Sequence, residues 1–231
     1  MVPRRSYLHD YFQAAIVAII IALFVRTYLV QAFQIPSASM ERSILVGDHV
    51  LVNKFIFGPL SSRVGHDILP VSEVKRFDVI VFKFPDAPEK DYVKRVIGEP
   101  GDEVKIENGV VLVRRAGNTT FDTLSEQYVQ HIDPIDGPDP DHLNNREPLK
   151  VPADSYYVLG DNRDDSRDSR DWGFVPRDQI RGKVLMVYWS VDLPPPPLEN
   201  APEKGGLAAM WDSLSNSYGR TRWGRTFHVV R

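Results

Sequence analysis

Ser39 is the first residue whose type and setting could do chemistry. It lies in the stretch Gln34-Ile35-Pro36-Ser37-Ala38-Ser39-Met40, which follows a long apolar segment. A serine hydroxyl is a poor nucleophile at neutral pH until a neighbouring base takes its proton. The chain must therefore supply a base if Ser39 is to attack a substrate.

Lys94 is our candidate for that base. It lies in Asp91-Tyr92-Val93-Lys94-Arg95-Val96-Ile97-Gly98, a stretch typical of a strand. A lysine acts as a base only when it is neutral, and its reference pKa is about 10.4. Burial in apolar surroundings can lower that pKa by up to about 3–5 units. We therefore predict that Lys94 is buried and that nearby acids pair with arginines instead.

The composition limits the classes of function. The chain has 231 residues, of which 42% are hydrophobic and 26% charged, as in ordinary folded proteins. A net charge of −3 argues against a nucleic-acid-binding protein, which usually carries a basic face. The absence of cysteine from the sequence excludes disulfides, thiolate catalysis and Cys-based zinc sites.

Residues 11–30, YFQAAIVAIIIALFVRTYLV, predict a transmembrane anchor. Twenty helical residues rise roughly 30 Å, about the thickness of the hydrocarbon core of a bilayer. Arg4 and Arg5 precede this segment, so the positive-inside rule places residues 1–10 in the cytoplasm and Ser39 outside. Arg26 weakens that orientation, and its charge is tolerated only near a helix end.

A cleavable secretory signal is the alternative interpretation of this segment. Val30-Gln31-Ala32 has the small residues that such a signal needs at −3 and −1. Arg26 interrupts the approach to that site, so we favour an uncleaved anchor. The same tripeptide is also a candidate self-cleavage site, a hypothesis that N-terminal sequencing would test.

Beyond residue 30 the sequence predicts a mainly β, antiparallel fold. β-branched and aromatic residues form short apolar runs that end at turn residues, and helical periodicity is almost absent. The predicted strands are residues 49–52, 78–84, 92–97, 104–106, 110–113, 155–159 and 184–191. Asn108-Gly109 lies between two of these runs and predicts a tight hairpin.

Residues 114–150 are polar and rich in turn residues, which predicts an inserted, loop-rich subdomain. Residues 31–113 and 151–231 would then form one extracytoplasmic catalytic β-domain. Near its end, residues 194–197 predict a polyproline II spacer. Residues 208–214 predict a short helix, and residues 220–231 a final strand.

Three blocks together resemble the type I (bacterial) signal peptidases, a family of membrane-anchored serine endopeptidases with a Ser–Lys dyad. The first two are Pro36-Ser37-Ala38-Ser39-Met40 and the stretch 92–98 with Pro100-Gly101-Asp102. The third is residues 160–176, GDNRDDSRDSRDWGFVP. The resemblance covers most of residues 11–191, in family order.

The resemblance implies roles for the matching residues. Ser39 would be the nucleophile and Lys94 the general base. Ser166 would orient the lysine, although Ser169 and Asp165 are close alternatives in the same loop. A supporting charge network would be formed by Asp161, Arg95, Asp168 and Arg170.

The substrate contacts also follow from the resemblance. The hydroxyl of Ser37 would join the backbone N–H of Ser39 in an oxyanion hole. The substrate pockets would be lined by Phe33, Ile35, Met40, Ile44, Val50, Val81, Tyr92 and Val93.

The implied function is removal of N-terminal signal peptides from exported preproteins, after small residues at −1 and −3, through an acyl-enzyme on Ser39. We expect no cofactor and no metal ion. The expected partners are signal-peptide-bearing preproteins and the lipid bilayer, with the secretion machinery as a candidate contact and no nucleic acid. The expected location is the bacterial plasma (inner) membrane, crossed once.

Three other interpretations stay open from the sequence. One is a Ser–Lys peptidase with another target, like the self-cleaving repressors, which are soluble. Another is a non-catalytic, membrane-anchored β-domain, which would have no need of Ser39 or Lys94. The acidic stretch 161–170 also resembles a calcium loop, but it lacks the glycine and terminal glutamate of an EF-hand.

Overall fold

A computed structural model describes residues 7–54, 73–85, 87–129, 146–192 and 219–230. It is mainly β and antiparallel, with one long helix at its N-terminus, which confirms the predicted fold class. Numbered in chain order, the strands are β1 Val30–Gln34, β2 Asp48–Asn53, β3 Val79–Phe84, β4 Ala87–Gly98, β5 Glu103–Glu107, β6 Val110–Arg114, β7 Asp122–Thr123, β8 Arg146–Lys150, β9 Ser155–Leu159, β10 Val175–Pro176, β11 Ile180–Ser190 and β12 His228–Val229.

The N-terminal helix, α1, spans Tyr7–Phe24 and continues into a π-helical turn, Val25–Leu29. Its window His9–Thr27 is long and apolar enough to cross a membrane, and none of that window is buried within the protein. The helical segment therefore differs from the predicted residues 11–30 at both ends. Val30 belongs to β1, where it pairs with Asn53 of β2.

The main sheet has the order β1-β2-β11-β3-β4-β9-β10, with β12 paired to β11 beside this path. The side chains of β2 alternate between buried and partly buried along the strand, as expected where one face packs on a core. One core cluster includes residues of β2, β3 and β11 and of the stretch after β1. Its members are Ile35, Met40, Ile44, Val50, Val52, Val79, Val81, Val184, Val187 and Val230.

A smaller, four-stranded sheet has the order β7-β6-β5-β8. The predicted hairpin at Asn108-Gly109 is confirmed: it joins β5 to β6, and both residues have positive φ, 48° and 74°. This sheet begins at Glu103, so the predicted boundary at residue 114 passes through it. Its core is shared with the main sheet, because Val104 and Val111 pack in one cluster with Tyr157.

The last described segment, residues 219–230, is here called the C-terminal arm. It contains a 3-10 turn, Trp223–Arg225, and the short strand β12, which pairs with Met186 and Val187. The predicted final strand is therefore much shorter than residues 220–231. The predicted spacer at 194–197 and helix at 208–214 lie outside the described residues.

Candidate active site

Ser39 lies in a tight turn directly after β1. Ser37 is extended, and Ala38–Met40 form one 3-10 turn whose Ala38 carbonyl accepts a hydrogen bond from the Glu41 N–H at 2.8 Å. Met40 and the following Ile44 are buried in the core cluster at 1% and 0% exposure. These two side chains anchor the turn and leave Ser39 partly exposed beside the core.

The stretch 160–162 fixes the turn from the other side. The Asn162 N–H donates to the Ser39 carbonyl at 3.1 Å, and Asn162 Nδ2 donates to the Ala38 carbonyl at 3.3 Å. A Cβ on Gly160 would lie 2.5 Å from the Ser39 carbonyl oxygen and 2.1 Å from Ser166 Oγ. Such a side chain cannot fit, so the close approach requires glycine at residue 160.

Lys94 reaches Ser39 from the middle of β4. Its backbone is paired with Ile80 of β3, and its side chain is buried, with 3% of the residue exposed. Lys94 Nζ lies 2.5 Å from Ser39 Oγ. The two residues, far apart in sequence, are therefore in direct hydrogen-bond contact.

Burial lowers the pKa of Lys94 to about 8, because desolvation disfavours the ammonium form. The carboxylates of Asp168 and Asp161 act in the opposite direction and raise the pKa, while Arg170 lowers it. With a pKa of about 8, roughly one Lys94 side chain in ten is neutral at pH 7. An exposed lysine would have only about one in a few thousand.

Asp161 is engaged by Arg95 rather than by Lys94. Arg95 Nε and Nη2 donate to the two carboxylate oxygens at 2.8 and 2.7 Å, and both side chains are 1% exposed. The same guanidinium also donates to the Phe77 carbonyl and to Ser43 Oγ. A bidentate pair of this kind fixes the carboxylate in one orientation.

Asp168 is held in the same way by Arg170. Its carboxylate accepts from Arg170 Nε at 2.9 Å, from the Gly160 N–H at 3.0 Å and from Ser166 Oγ at 2.7 Å. Burial works against ionisation of Asp168, but the charge of Arg170 and these hydrogen bonds outweigh it and keep its pKa below the usual value. Asp161 and Asp168 therefore both form ion pairs with arginines. This disfavours the alternative interpretation of the stretch as a calcium loop.

Ser166 and its two alternatives occupy different places. Asp168 caps the short helix α2, Ser169–Trp172, and Ser169 Oγ accepts from the Val158 N–H at 2.9 Å, away from the dyad. Asp165 is exposed. Ser166 packs against Gly160, beside Ser39, and its hydroxyl donates to Asp168. An orienting contact with Lys94 would therefore use the lone pairs of Ser166 and stays a prediction.

Ser37 and the predicted pocket residues divide by exposure. The Ser37 side chain is exposed, and its place in an oxyanion hole stays a prediction. Phe33, Tyr92 and Val93 are partly exposed. The other five are buried in the core cluster at 3% exposure or less and form a packed floor beneath the turn: Ile35, Met40, Ile44, Val50 and Val81.

Some contacts around the dyad have no counterpart among the predicted site residues. Gly160 and Asn162 lie inside the third sequence block, so the sequence placed them at the site. It did not predict what they do there. Ser43 binds Arg95, and Tyr128 stacks on it with 4.0 Å between the Arg95 Cζ and the ring centroid. No local pattern marks either residue.

Comparisons with known proteins place this site in a family. The family model described as "Signal peptidase, peptidase S26" matches residues 8–189. A signal peptidase I of Aquifex aeolicus (strain VF5) is 34% identical over 222 residues, covering 76% of this chain and 82% of that protein. A signal peptidase I of Pseudomonas fluorescens is 33% identical over 223 residues, covering 86% and 78%. A crystal structure of a signal peptidase I from Enterococcus faecalis V583 is 28% identical, with a TM-score of 0.36, and covers 48% of this chain and 97% of that chain.

The fold and the site are those of a mainly β hydrolase in which a buried lysine is hydrogen-bonded to a serine hydroxyl. The family match extends over most of the chain, and the alignment covers 82% of the Aquifex aeolicus relative. The chain therefore belongs to the signal peptidase family, peptidase S26. Its activity is that of a serine endopeptidase.

Proposed function

We propose that the chain removes signal peptides from exported preproteins by acyl transfer, with Ser39 as nucleophile and Lys94 as general base. The observation that carries this proposal is the 2.5 Å distance between Lys94 Nζ and Ser39 Oγ at a lysine that is 3% exposed. The substrate class comes from the family, since the two relatives above are named signal peptidase I.

In the acylation step, neutral Lys94 takes the proton of the Ser39 hydroxyl while Oγ attacks the scissile carbonyl carbon. The resulting tetrahedral intermediate expels the amine of the mature protein, which receives that proton from Lys94 as the C–N bond breaks. In the second step Lys94 removes a proton from water, and the hydroxide attacks the acyl-enzyme. Collapse of this second intermediate returns the proton to Ser39 and releases the signal peptide.

The developing oxyanion needs fixed donors. The backbone N–H of Ser39 and the hydroxyl of Ser37 are the proposed pair. One such donor is typically worth about 10²–10³ in kcat. Fixation of the turn by Asn162, through the Ser39 carbonyl, supports this assignment because it holds the neighbouring peptide planes in place. The hydroxyl of Ser166 would orient the amine of Lys94 toward Ser39.

The substrate would bind as an extended strand. β1 lies at the edge of the main sheet within the described residues and leads directly into Ser37 and Ser39. A free strand edge offers unpaired N–H and C=O groups, which can fix the register of an extended peptide. Small residues at −1 and −3 would face Phe33, Tyr92 and Val93, with the buried residues as the floor.

We place α1 in the bacterial plasma membrane, with residues 1–10 in the cytoplasm and the β-domain outside. Apolar side chains such as Ile20, which is 60% exposed, cover this helix, and none of its apolar window is buried in the protein. This location would bring the active site to preproteins at the membrane surface and into reach of the secretion machinery.

The sequence left self-cleavage after Ala32 open. That peptide bond lies within β1, where Ala32 pairs with Leu51 and Phe33 with Val50. Hydrolysis would require β1 to leave the sheet, which disfavours this reaction. The remaining alternatives, a repressor-like peptidase and a non-catalytic domain, are disfavoured by the family match and by the contact between Ser39 and Lys94.

Ser39→Ala and Lys94→Met should each reduce cleavage of a purified preprotein by on the order of 10³-fold or more, because each removes one half of the dyad. Lys94→Met keeps the length and burial of the side chain, so the fold should be retained in circular dichroism. Lys90→Ala, at an exposed lysine on the same strand, is the matched control and should cleave like the wild type. Near-normal cleavage by either dyad variant would exclude the mechanism.

A further inference from the structure

Residues 124–129, here called the cover segment, lie on the Arg95–Asp161 pair next to the dyad. The segment follows β7 of the small sheet, and the Leu124 N–H donates to the Val111 carbonyl of that sheet at 3.0 Å. Its Tyr128 ring lies over the Arg95 guanidinium, with 4.0 Å from Cζ to the ring centroid. Arg95 and Asp161 are both 0% exposed.

Polar contacts connect the cover segment to the loop that follows β9. The Tyr128 hydroxyl donates to Glu126 Oε1 at 2.8 Å, and Arg163 Nη2 donates to the same oxygen at 2.5 Å. The Arg163 and Glu126 side chains are 3% and 9% exposed. Arg163 Nε also donates to the Gly160 carbonyl at 3.1 Å, at the glycine that touches Ser39.

A further contact reaches the stretch of chain that follows Ser39. Arg42 Nη1 donates to the Val129 carbonyl at 2.5 Å, and Arg42 follows Ser39 in the nucleophile's own stretch of chain. The Phe77 ring meets the edge of Tyr128, with centroids 6.0 Å apart. The cover segment thus contacts the stretch after Ser39, the strand of Lys94 and the loop of Ser166.

We propose that Tyr128 is a positioning residue of the reaction, which excludes water from the Arg95–Asp161 pair and thereby keeps the Lys94 side of the site dry and fixed. This inference rests on the proposed function of Ser39 and Lys94. Tyr128 acts through Arg95 and Asp161 rather than on the substrate. Neither the composition of residues 114–150 nor the dyad itself assigns this role.

The physical reason is that Asp161 acts on two cations. Arg95 binds both of its carboxylate oxygens, and the charge of Asp161 also raises the pKa of Lys94. If water reached the pair, screening would weaken it, and the carboxylate could move toward the Lys94 ammonium. Water near Lys94 would also solvate the ammonium. Both changes favour the charged form of Lys94, so both raise its pKa.

The other charged groups near Lys94 would stay in place. On the loop after β9 these are Asp165, Asp168 and Arg170, and Asp168 is fixed by Arg170. On β4 itself, the Tyr92 ring lies 5.7 Å from Lys94 Nζ. Burial raises the pKa of Tyr128, so its hydroxyl stays protonated and adds no titration near pH 8.

The test is the pH dependence of kcat/KM for the full-length enzyme in detergent, with a signal-peptide substrate. We expect Tyr128→Leu to move the midpoint of the rise toward higher pH. A shift of about one unit would reduce the rate at pH 7 about tenfold, with recovery toward the wild-type rate at high pH. Tyr128→Phe keeps the ring over Arg95 and should restore the wild-type midpoint.

The matched control is Phe121→Leu. It removes another ring from a guanidinium of the small sheet, since Arg114 Cζ lies 4.9 Å from the Phe121 centroid. Arg114 of this pair binds Glu103 of the small sheet, so the midpoint should not move. If Tyr128→Leu fails to fold, Glu126→Gln tests the same cover through its contact with Arg163, and a smaller shift in the same direction is expected.

Two results would overturn the inference. One is an unchanged midpoint in Tyr128→Leu or, if that variant fails to fold, in Glu126→Gln. The other is an equal loss of rate at every pH, which would indicate a general structural role. Failure of the proposed function would look different, because the wild-type profile itself would then be flat.

Discussion

At the scale of single residues, the site depends on keeping one amine free of the charges around it. Two carboxylates that could pair with Lys94 are committed elsewhere: Asp161 to Arg95 and Asp168 to Arg170. Lys94 is left against Ser39 with its ammonium form disfavoured by burial. Because these carboxylates are paired with arginines, neither forms a salt bridge with Lys94 that would hold it in its charged form.

The rate of cleavage should rise with pH. Because the pKa of Lys94 is lowered to about 8, its neutral form grows about tenfold per pH unit below that value and levels off above it. Asp168, whose pKa is below its usual value, stays ionised across this range and adds no second transition. The measurement is kcat/KM from pH 6 to 10. A flat profile from mild acid to mild alkali would show that Lys94 is not the base.

At the scale of elements, the C-terminal arm supports the stretch that carries Ser39. Asp48, fully buried at the start of β2, accepts from the Leu45 N–H at 2.9 Å and from Ser190 Oγ at 2.5 Å. Arg225 of the arm pairs with the same carboxylate at 2.7 Å and also donates to the Ser43 carbonyl. The arm thus connects residues 43–48 to β11, with which β12 pairs.

Arg225→Met should destabilise the protein by about 2–3 kcal/mol, because it leaves the buried Asp48 carboxylate without its cation. The value is below that of a fully buried pair, since the Arg225 side chain is 22% exposed. Urea unfolding measures the change. Arg181→Met, at an exposed arginine of β11, is the control and should be near neutral. Equal stability of the two variants would show that the arm contributes nothing through Asp48.

The elements that the sequence predicted share a clear signal. Strands such as β2, β3 and β9 are apolar, β-branched runs with turn residues at their ends, and Asn108-Gly109 has the residues that a tight hairpin requires. β1 was missed because Val30–Gln34 follows the apolar helix without a turn residue between them. β8 was missed because Arg146–Lys150 is polar and contains proline.

The site shows the same division. Ser39, Lys94 and the arginine–aspartate pairs lie in short motifs, so the sequence alone was enough to group them. Tyr128 and Ser43 join the site only through contacts between distant parts of the chain. Nothing in the flanking residues of either side chain predicts a partner at Arg95, and this part of the site needed the fold.

At the scale of the whole molecule, the chain combines an apolar helix with a β-domain. The interior of the β-domain contains apolar clusters and buried ion pairs. None of the helix's apolar window is buried within the described residues, whereas the β-domain buries its apolar side chains in shared clusters. A bilayer is the environment that the uncovered helix fits. Residue 30 thus separates an uncovered apolar segment from a folded domain with a buried core.

Ile20→Arg should reduce retention of the full-length protein in membranes. A charge near the centre of the helix costs about 2.5–3.5 kcal/mol on insertion scales, while a charge near its end can reach the interface. Gln13→Arg, close to the start of the helix, is therefore the matched control. The measurement is the fraction recovered with membranes after alkaline extraction. Full retention of Ile20→Arg would argue against a spanning helix.

The direct passage from helix to strand has one more consequence. β1 begins at the residue after the last helical turn, and all five of its residues are paired with β2. With the helix in the bilayer, this short and paired connection would keep Ser39 close to the lipid surface. The enzyme would then cleave only those peptide bonds that lie at a set distance from the membrane surface.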